Sequence, residues 1–415
     1  MAGARCDGGP PRSQRGSNRM VNYSLVKEKV IVDRGVGMST RSIAAWIAGF
    51  LAVALAVFSA VYPVSSSAGG FGAAGADRAP GGVAQVVAGG DVQGSGKAVE
   101  FSYWTRWADG EPVLSRAHLW LPEGDAPAGG WPVVSYAHGT SGNGDQCVGG
   151  TSASEEEPLT SLLRGGYAVT ATFYPGIGTP DTPRHLDGVT EAHAVIDAVR
   201  ASRTLDSRLG SRWAAMGVSQ GGHAALNAAA IAAADAPELD FRGAVSFSTP
   251  PDLSLFAQAR PGVPDIPMMH ELTSQVALVL AGIRAARPDL NVDDYLTAEG
   301  KRVLGMTNTL CIKGLNEATA GLGIGDLLSR PIPGSPLEAP LQRYVATPTS
   351  GYARPLFIAH GYKDILAPLP ALAPLLAQMA VNGVRPDFRI YDADHGGVVG
   401  AATSDALVFL DRIVR

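Results

Sequence analysis

The sequence is poor in cysteine and in charged residues, and it lacks the residue spacings that hold metal ions. Of its 415 residues, three are cysteine and 17% are charged. It contains no C-x-x-C or H-E-x-x-H segment and no cluster of His and Cys, which are the patterns that bind zinc. We therefore expect neither a structural nor a catalytic metal.

Basic runs are missing from most of the chain. Residues 1–68 hold 8 Lys/Arg and 3 Asp/Glu, so the remainder carries 25 basic and 35 acidic residues. A net acidic body without a basic patch disfavours nucleic acid as a partner. Hydrophobic residues make up 46% of the chain, which is enough for the core of one large domain or of one domain with an inserted cap.

One long apolar run lies near the N-terminus. Residues 43–62 carry no charge, Arg41 precedes them, and small residues at 63–69 follow. This order is typical of a prefix and signal peptide over 1–68 with cleavage near Ala68, which predicts an exported or cell-envelope protein. If the run stayed uncut, it would be long enough to span a bilayer and anchor the protein in a membrane.

The order of the predicted elements indicates an α/β fold. Residues 69–97, rich in Gly, Ala and Pro, are predicted to form a linker, so that the folded body covers 98–415. An opening antiparallel hairpin is followed by short apolar strands that alternate with helices, which predicts a mostly parallel, doubly wound sheet. The predicted strands are 98–107, 113–121, 131–137, 167–173, 212–217, 243–247, 355–360 and 387–391. The predicted helices are near 155–164, 190–203, 221–234, 370–381 and 401–413.

This alternation stops over about residues 251–354. Such a stretch is too long for a loop in a compact domain. Helical spacing at 272–286, 292–304 and 308–315, followed by a proline-rich return at 331–340, predicts a mostly helical cap inserted over the site. A helical insertion with no role in the site is the alternative.

Export leaves two cysteines, because Cys6 lies in the prefix. Two cysteines in an exported protein are most simply explained by one disulfide bond, here between Cys147 and Cys311. The bond would join the loop after the 131–137 strand to the cap. Two free, buried thiols are the alternative.

Gly217-Val218-Ser219-Gln220-Gly221 is a G-x-S-x-G segment placed between a predicted strand and a predicted helix. A nucleophile needs such a sharp turn to project its hydroxyl, and the glycines give room where a Cβ atom would not fit. The segment therefore predicts that Ser219 is a catalytic nucleophile.

A serine nucleophile needs a histidine base and a carboxylate that orients the histidine. Asp364 and His395 each follow a predicted strand, in the chain order Ser, acid, His. The carboxyl ends of parallel strands meet at one edge of a sheet, so the three side chains are expected to converge there. Asp252, after the 243–247 strand, is an alternative acid. Asp394 adjoins His395, but neighbours on an extended segment point apart.

Backbone N–H groups must also face the negative charge that develops on the substrate. His138-Gly139-Thr140-Ser141-Gly142 follows a predicted strand where such a loop belongs. We expect the amides of Thr140 and of Gln220, the residue after the nucleophile, to form this oxyanion hole. Gly139 is the alternative to Thr140, and His138 is expected to shape the loop rather than to transfer protons.

These motifs resemble those of the α/β-hydrolase superfamily, and within it the sequence is similar to the secretory lipases and esterases of actinobacteria and fungi. The likeness extends from about Val99 to the C-terminus and rests on segments 138–142, 174–180, 217–223, 361–364 and 394–397. It implies an α/β-hydrolase fold with a helical cap and an active site of Ser219, Asp364 and His395. The sequence departs from the family pattern at Val218, where His or Tyr is commoner, and at Phe173, where Asp is often found.

Together these features predict a secreted carboxylic ester hydrolase that acts through an acyl-enzyme and needs no cofactor. Its expected substrates are small-molecule or lipid esters, with a transient contact with a lipid surface in the second case. A serine peptidase is one alternative, although no site for a substrate amine or proline is evident. A non-catalytic binding protein is the other, although binding alone would not need Ser219, Asp364 and His395.

Overall fold

The computed structural model describes residues 78–147, 153–251, 253–262 and 270–415. The predicted signal peptide with its apolar run at 43–62 and the alternative acid Asp252 lie outside these residues. Within the described ranges, no helix combines the length and the apolar character that crossing a membrane requires.

The described residues form a nine-stranded mixed sheet. The strands are β1 (Val83–Ala88), β2 (Ser95–Arg106), β3 (Pro112–Pro122), β4 (Trp131–Ala137), β5 (Ala168–Thr172), β6 (Leu209–Val218), β7 (Asp240–Phe247), β8 (Leu356–Gly361) and β9 (Asp387–Tyr391). Their order across the sheet is β1-β2-β3-β5-β4-β6-β7-β8-β9. The pairs from β1 to β5 are antiparallel, and the pairs from β5 to β9 are parallel. The predicted mostly parallel sheet is confirmed.

Helices cover both faces of this sheet. They are α1 (Ala153–Arg164), α2 (Gly188–Leu205), α3 (Gln220–Asp235), α4 (His270–Ala286), α5 (Ala298–Met306), α6 (Ile312–Ala318), α7 (Glu338–Tyr344), α8 (Leu369–Val381) and α9 (Gly397–Val414). Side chains of α2, α3 and α8 share one buried cluster with the sheet, and those of α1 and α9 share another. Because both faces are covered, β4, β5 and β8 are buried over nearly their whole length, as their apolar sequences predict.

The predicted linker over 69–97 is wrong in its described part. Val83–Ala88 forms β1, and β2 begins at Ser95. β1 pairs antiparallel with β2, with Val86 opposite Phe101. Valine favours extended backbone, and pairing with β2 supplies the hydrogen bonds of this edge strand. The glycines and alanines around the short valine-rich segment concealed it in the sequence.

The segment between β7 and β8 contains α4 to α7, which pack around an apolar cluster of their own. The helix predicted over 292–304 is divided, because a short 3₁₀ turn at Val292–Tyr295 ends before α5 begins. Thr297 separates the two, since its side-chain oxygen caps α5 by accepting a hydrogen bond from Gly300 N at 2.9 Å. The helix predicted over 308–315 begins only at residue 312, and the proline-rich return includes the start of α7.

A disulfide bond joins Cys147, in the loop after β4, to Cys311, which precedes α6. The two Cα atoms are 5.4 Å apart, and 164 positions separate the residues in sequence. Next to it, the Ile312 amide donates a hydrogen bond to the Ser141 carbonyl at 2.9 Å. The loop after β4 and the inserted segment are therefore connected both covalently and through the backbone.

Candidate active site

Ser219 lies at the corner between β6 and α3. Its φ is 54° and its ψ is −118°, a strained conformation for a residue with a side chain. A Cβ atom on Gly217 would overlap the Gly221 carbonyl, and one on Gly221 would overlap the Ala137 carbonyl. The turn is therefore possible only with glycine at both positions, and it leaves the serine at the carboxyl end of the sheet.

Asp364 and His395 are hydrogen-bonded to each other. Asp364 follows β8, His395 follows β9, and the distance from His395 Nδ1 to Asp364 Oδ2 is 2.7 Å. The other oxygen of Asp364 accepts a hydrogen bond from the Ala367 amide at 2.7 Å. Burial is the largest single influence and opposes ionisation of this carboxyl, but the hydrogen bond and charge of His395, together with the hydrogen bond from the Ala367 amide and the nearby His360, hold the pKa of Asp364 below its usual value. The side chain is thus a carboxylate at neutral pH and an acceptor for the imidazole.

The second imidazole nitrogen of His395 is available for proton transfer. Nε2 is buried and has no hydrogen-bond partner among the described residues, so the bond from Ser219 Oγ is not formed in this structure. Hydrogen bonds between catalytic groups are often longer without substrate than with it. The structure therefore brings Asp364 and His395 into contact, and places Ser219 on the same edge of the sheet.

The other acidic residues near His395 have different partners. Asp394 Oδ1 accepts a hydrogen bond at 2.7 Å from the amide of Gly397, the first residue of α9, and Asp392 forms an exposed ion pair with Lys363. The alternative acid Asp252 is not among the described residues. Among the described acids named from the sequence, Asp364 is the one that contacts the His395 ring.

His360 lies beneath the pair. Its Nε2 donates to the Ala367 carbonyl at 2.7 Å and is 3.7 Å from Asp364 Oδ2. Burial lowers the pKa of His360, which favours a neutral ring. His360 is therefore buried beside Asp364 and bonds to the Ala367 carbonyl, whereas His395 makes the hydrogen bond to Asp364.

In the loop after β4, hydrogen bonding distinguishes the two candidate oxyanion donors, the amides of Gly139 and Thr140. The Gly139 amide donates to Glu155 Oε1 at 2.9 Å, whereas the Thr140 amide makes no hydrogen bond to another described residue. On the other side, Gln220 is the first residue of α3, where backbone amides have no acceptor within the helix. His138 Nδ1 lies 2.6 Å from the Gly139 carbonyl, a contact that shapes the loop.

Three residues with a part in this geometry carry no signal in the sequence. Glu155 accepts a hydrogen bond from the Gly139 amide, and Ser248 donates one to the His395 carbonyl. Glu191 accepts one from the side chain of Gln220. Each acts on a residue that is distant along the chain, so no local pattern could have indicated it. Only the packing of helices on the sheet brings these residues to the site.

Comparison with known proteins shows what this chain is similar to. The family model of the secretory lipases matches residues 148–318. No curated protein matches the sequence. Among solved structures, Candida antarctica lipase A in its closed state is 20% identical, with 81% of this chain and 84% of that chain covered and a TM-score of 0.66. The rice cell wall degrading esterase LipA from Xanthomonas oryzae is 17% identical, with 80% and 98% covered and a TM-score of 0.64. The resemblance that the motifs indicate is confirmed.

Proposed function

We propose that this chain, a carboxylic ester hydrolase with the α/β-hydrolase fold that is similar to the secretory lipases, acts through a triad of Ser219, His395 and Asp364 and an acyl-enzyme. The observation that carries the proposal is the 2.7 Å hydrogen bond between Asp364 and His395 Nδ1. This bond leaves Nε2 as the proton acceptor on the ring. A serine in a strained turn lies on the same edge of the sheet.

In the first half of the reaction, Ser219 Oγ attacks the ester carbonyl carbon while His395 Nε2 takes the serine proton. The carbonyl oxygen becomes an oxyanion, which accepts hydrogen bonds from the amides of Gln220 and Thr140. The intermediate then collapses and expels the alcohol, which receives its proton from His395. Asp364 stabilises the imidazolium that forms in between.

In the second half, a water molecule attacks the acyl-enzyme and gives a proton to His395 Nε2. Collapse of the second intermediate returns that proton to Ser219 Oγ and releases the carboxylic acid. Every step uses side chains and amides of this chain, so the proposed reaction needs no cofactor.

We further propose that the protein is exported and that its substrates include lipid esters, reached by transient contact with a lipid surface. The family match to secretory lipases and the apolar run at 43–62 support export. The segment with α4 to α7 would act as the cap that excludes water and forms the acyl pocket. Its attachment to the loop of Thr140 through the Cys147–Cys311 bond supports this role.

The test is a hydrolysis profile over p-nitrophenyl esters of increasing acyl length, with an emulsified triglyceride and a peptide amide measured in parallel. Hydrolysis of the esters that is absent in Ser219→Ala supports the proposal, and a preference for long chains and for the emulsion supports a lipid substrate. Cleavage of the peptide amide at a rate comparable to the esters would instead favour a peptidase.

A further inference from the structure

We propose that Glu191 is a positioning residue that holds Gln220, and with it the oxyanion-donating amide, in place. The inference deepens the proposed function and rests on it. It assigns a role in the reaction to a buried carboxylate on α2 that does not itself contact the substrate.

Glu191 is almost completely buried, with 1% of its surface exposed. A buried carboxylate is costly unless hydrogen bonds surround it, and described residues supply three. Its Oε1 accepts the side-chain amide of Gln220 at 2.7 Å and the backbone amide of Leu186 at 3.0 Å. Its Oε2 is 3.3 Å from His223 Nδ1. Two of these partners, Gln220 and His223, belong to the first turn of the helix that follows the nucleophile.

The other ring nitrogen of His223 contacts the inserted segment. Its Nε2 lies 3.2 Å from the Val345 carbonyl and 3.1 Å from the Ala346 carbonyl, in the segment that follows α7. The first turn of α3 is thus held from α2 through Glu191 and from the return of the inserted segment through the His223 ring.

Gln220 directly follows the strained Ser219, and this position explains why the hydrogen bond from Gln220 to Glu191 matters. A strained backbone conformation persists only where the surrounding structure imposes it. The amide that would donate to the oxyanion belongs to the peptide unit between Ser219 and Gln220, so a change in the Gln220 backbone would turn this donor away. Oxyanion stabilisation depends on donors already aimed at the oxyanion before reaction, so a small loss of alignment lowers kcat.

The test compares Glu191→Gln and Gln220→Met, alone and combined, with wild type. Methionine keeps the approximate volume of Gln220 but cannot bond to Glu191, while the backbone amide stays. The matched control is Asp197→Asn, since Asp197 lies on the same helix, is fully buried and accepts a hydrogen bond from Thr105 at 2.7 Å, away from the elbow. We measure kcat and KM on a p-nitrophenyl ester, the Ki of a trifluoromethyl ketone that forms a tetrahedral oxyanion adduct with the serine, and the melting temperature.

We expect each single variant to lower kcat about tenfold, less than the loss of a whole donor, and to raise the ketone Ki by a similar factor with KM nearly unchanged. The double variant should be no less active than the less active of the two single variants, because both changes act on the same contact, which Glu191→Gln weakens by removing the acceptor's charge and Gln220→Met removes. Asp197→Asn should change the melting temperature but leave kcat and Ki at wild-type values. A merely structural role of Glu191 would give the same pattern as Asp197→Asn.

The proposal is overturned if Gln220→Met keeps wild-type kcat and Ki, and this variant decides alone if Glu191→Gln does not fold. Additive losses in the double variant would also overturn it. If Ser219→Ala is inactive while Gln220→Met is unaffected, the proposed function stands and only the positioning role fails. If Ser219→Ala is active, the proposed function itself fails.

Discussion

The hydroxyl of Ser248 donates a hydrogen bond to the backbone carbonyl of His395 at 2.6 Å. Ser248 directly follows β7, and its own amide donates to the Ala359 carbonyl on β8 at 3.0 Å. The preceding residue, Phe247, accepts a hydrogen bond from the Ser219 amide at 2.9 Å. The loop of the candidate base and the turn of the candidate nucleophile are therefore both attached to the end of one central strand.

This shared attachment explains how residues from three loops keep a common geometry. β7 lies between β6, which ends before Ser219, and β8, which ends before Asp364. Loops mounted on a rigid sheet are held more closely than loops that contact only one another. Substitutions at the three candidate side chains should therefore change the chemistry while leaving the fold intact.

Replacing the nucleophile should abolish the activity. We expect Ser219→Ala to reduce ester hydrolysis by several orders of magnitude, about 10⁶-fold in the best-studied serine hydrolase, because serine and histidine act as a unit. Alanine lacks only the hydroxyl, so circular dichroism and the melting temperature should match wild type. A folded variant that kept more than about a tenth of the wild-type rate would contradict the assignment of Ser219.

The carboxylates next to His395 can be separated by two matched substitutions. Asp364→Asn should lower kcat by about 10³–10⁴-fold, because an amide cannot fix the imidazole tautomer that accepts the serine proton. Asp394→Asn should cost less than about tenfold in kcat and at most about 1 kcal/mol in stability, since an asparagine oxygen can still accept the hydrogen bond from the Gly397 amide. Steady-state kinetics and thermal melts of both variants give the comparison.

A crippling loss in Asp394→Asn, with little change in Asp364→Asn, would reverse the assignment of the acid. Asp252→Asn should join the mild group, with a loss under about tenfold in kcat. If Asp252→Asn were instead the inactive variant, the acid would come from the loop after β7.

Asp197 should make the stability of the protein depend on pH. Burial raises the pKa of this carboxyl to about 6, although Arg200 and the Thr105 hydroxyl act in the opposite direction. Between the unfolded pKa near 3.8 and the folded value, the folded state binds more protons, so this group makes the protein less stable as pH rises through that window. Above about pH 6 the effect is complete.

Thermal or urea unfolding of wild type and Asp197→Asn between pH 4 and pH 7 measures this contribution. The free energy of unfolding of wild type, relative to the variant, should fall by up to about 3 kcal/mol from the lower to the higher pH. A difference that is constant over this range, or that grows with pH, would show that the folded pKa of Asp197 is not raised.

The strands of the central sheet could be predicted from the sequence because buried parallel strands are continuous apolar runs. The same rule failed at β1, whose valines lie among glycines and alanines, and whose strand character depends on pairing with β2. Helical spacing likewise could not place the break at Thr297. The apolar spacing of 292–304 continues through this residue, whose side chain caps α5. Both errors arise where a partner or a cap, rather than periodicity, determines the local structure.

The candidate triad could be proposed from chain order alone, since each member follows a parallel strand. Its supporting contacts could not be predicted in this way. Glu191 and Gln220 are 29 positions apart, and they meet because α2 packs against α3. Ser248 and His395 are 147 positions apart, and they meet because β7 and β9 flank β8. Such contacts follow from tertiary packing, for which the sequence offers no local signal.

The disulfide between Cys147 and Cys311 should stabilise the protein and hold the inserted segment against the body. Closing a loop of 164 positions could stabilise the fold by about 5 kcal/mol in the chain-entropy model. Reduction should therefore lower the melting temperature and make the segment containing α4 to α7 more accessible to proteases.

The double variant Cys147→Ser/Cys311→Ser is the matched control, and it should melt at the lower temperature with or without reductant. Wild-type protein from an oxidising compartment should show no alkylation of either cysteine until it is reduced. If both thiols are alkylated without reductant, or if reduction leaves the melting temperature unchanged, then the bond does not hold this segment, which must rely on contacts such as the hydrogen bond from Ile312 to Ser141.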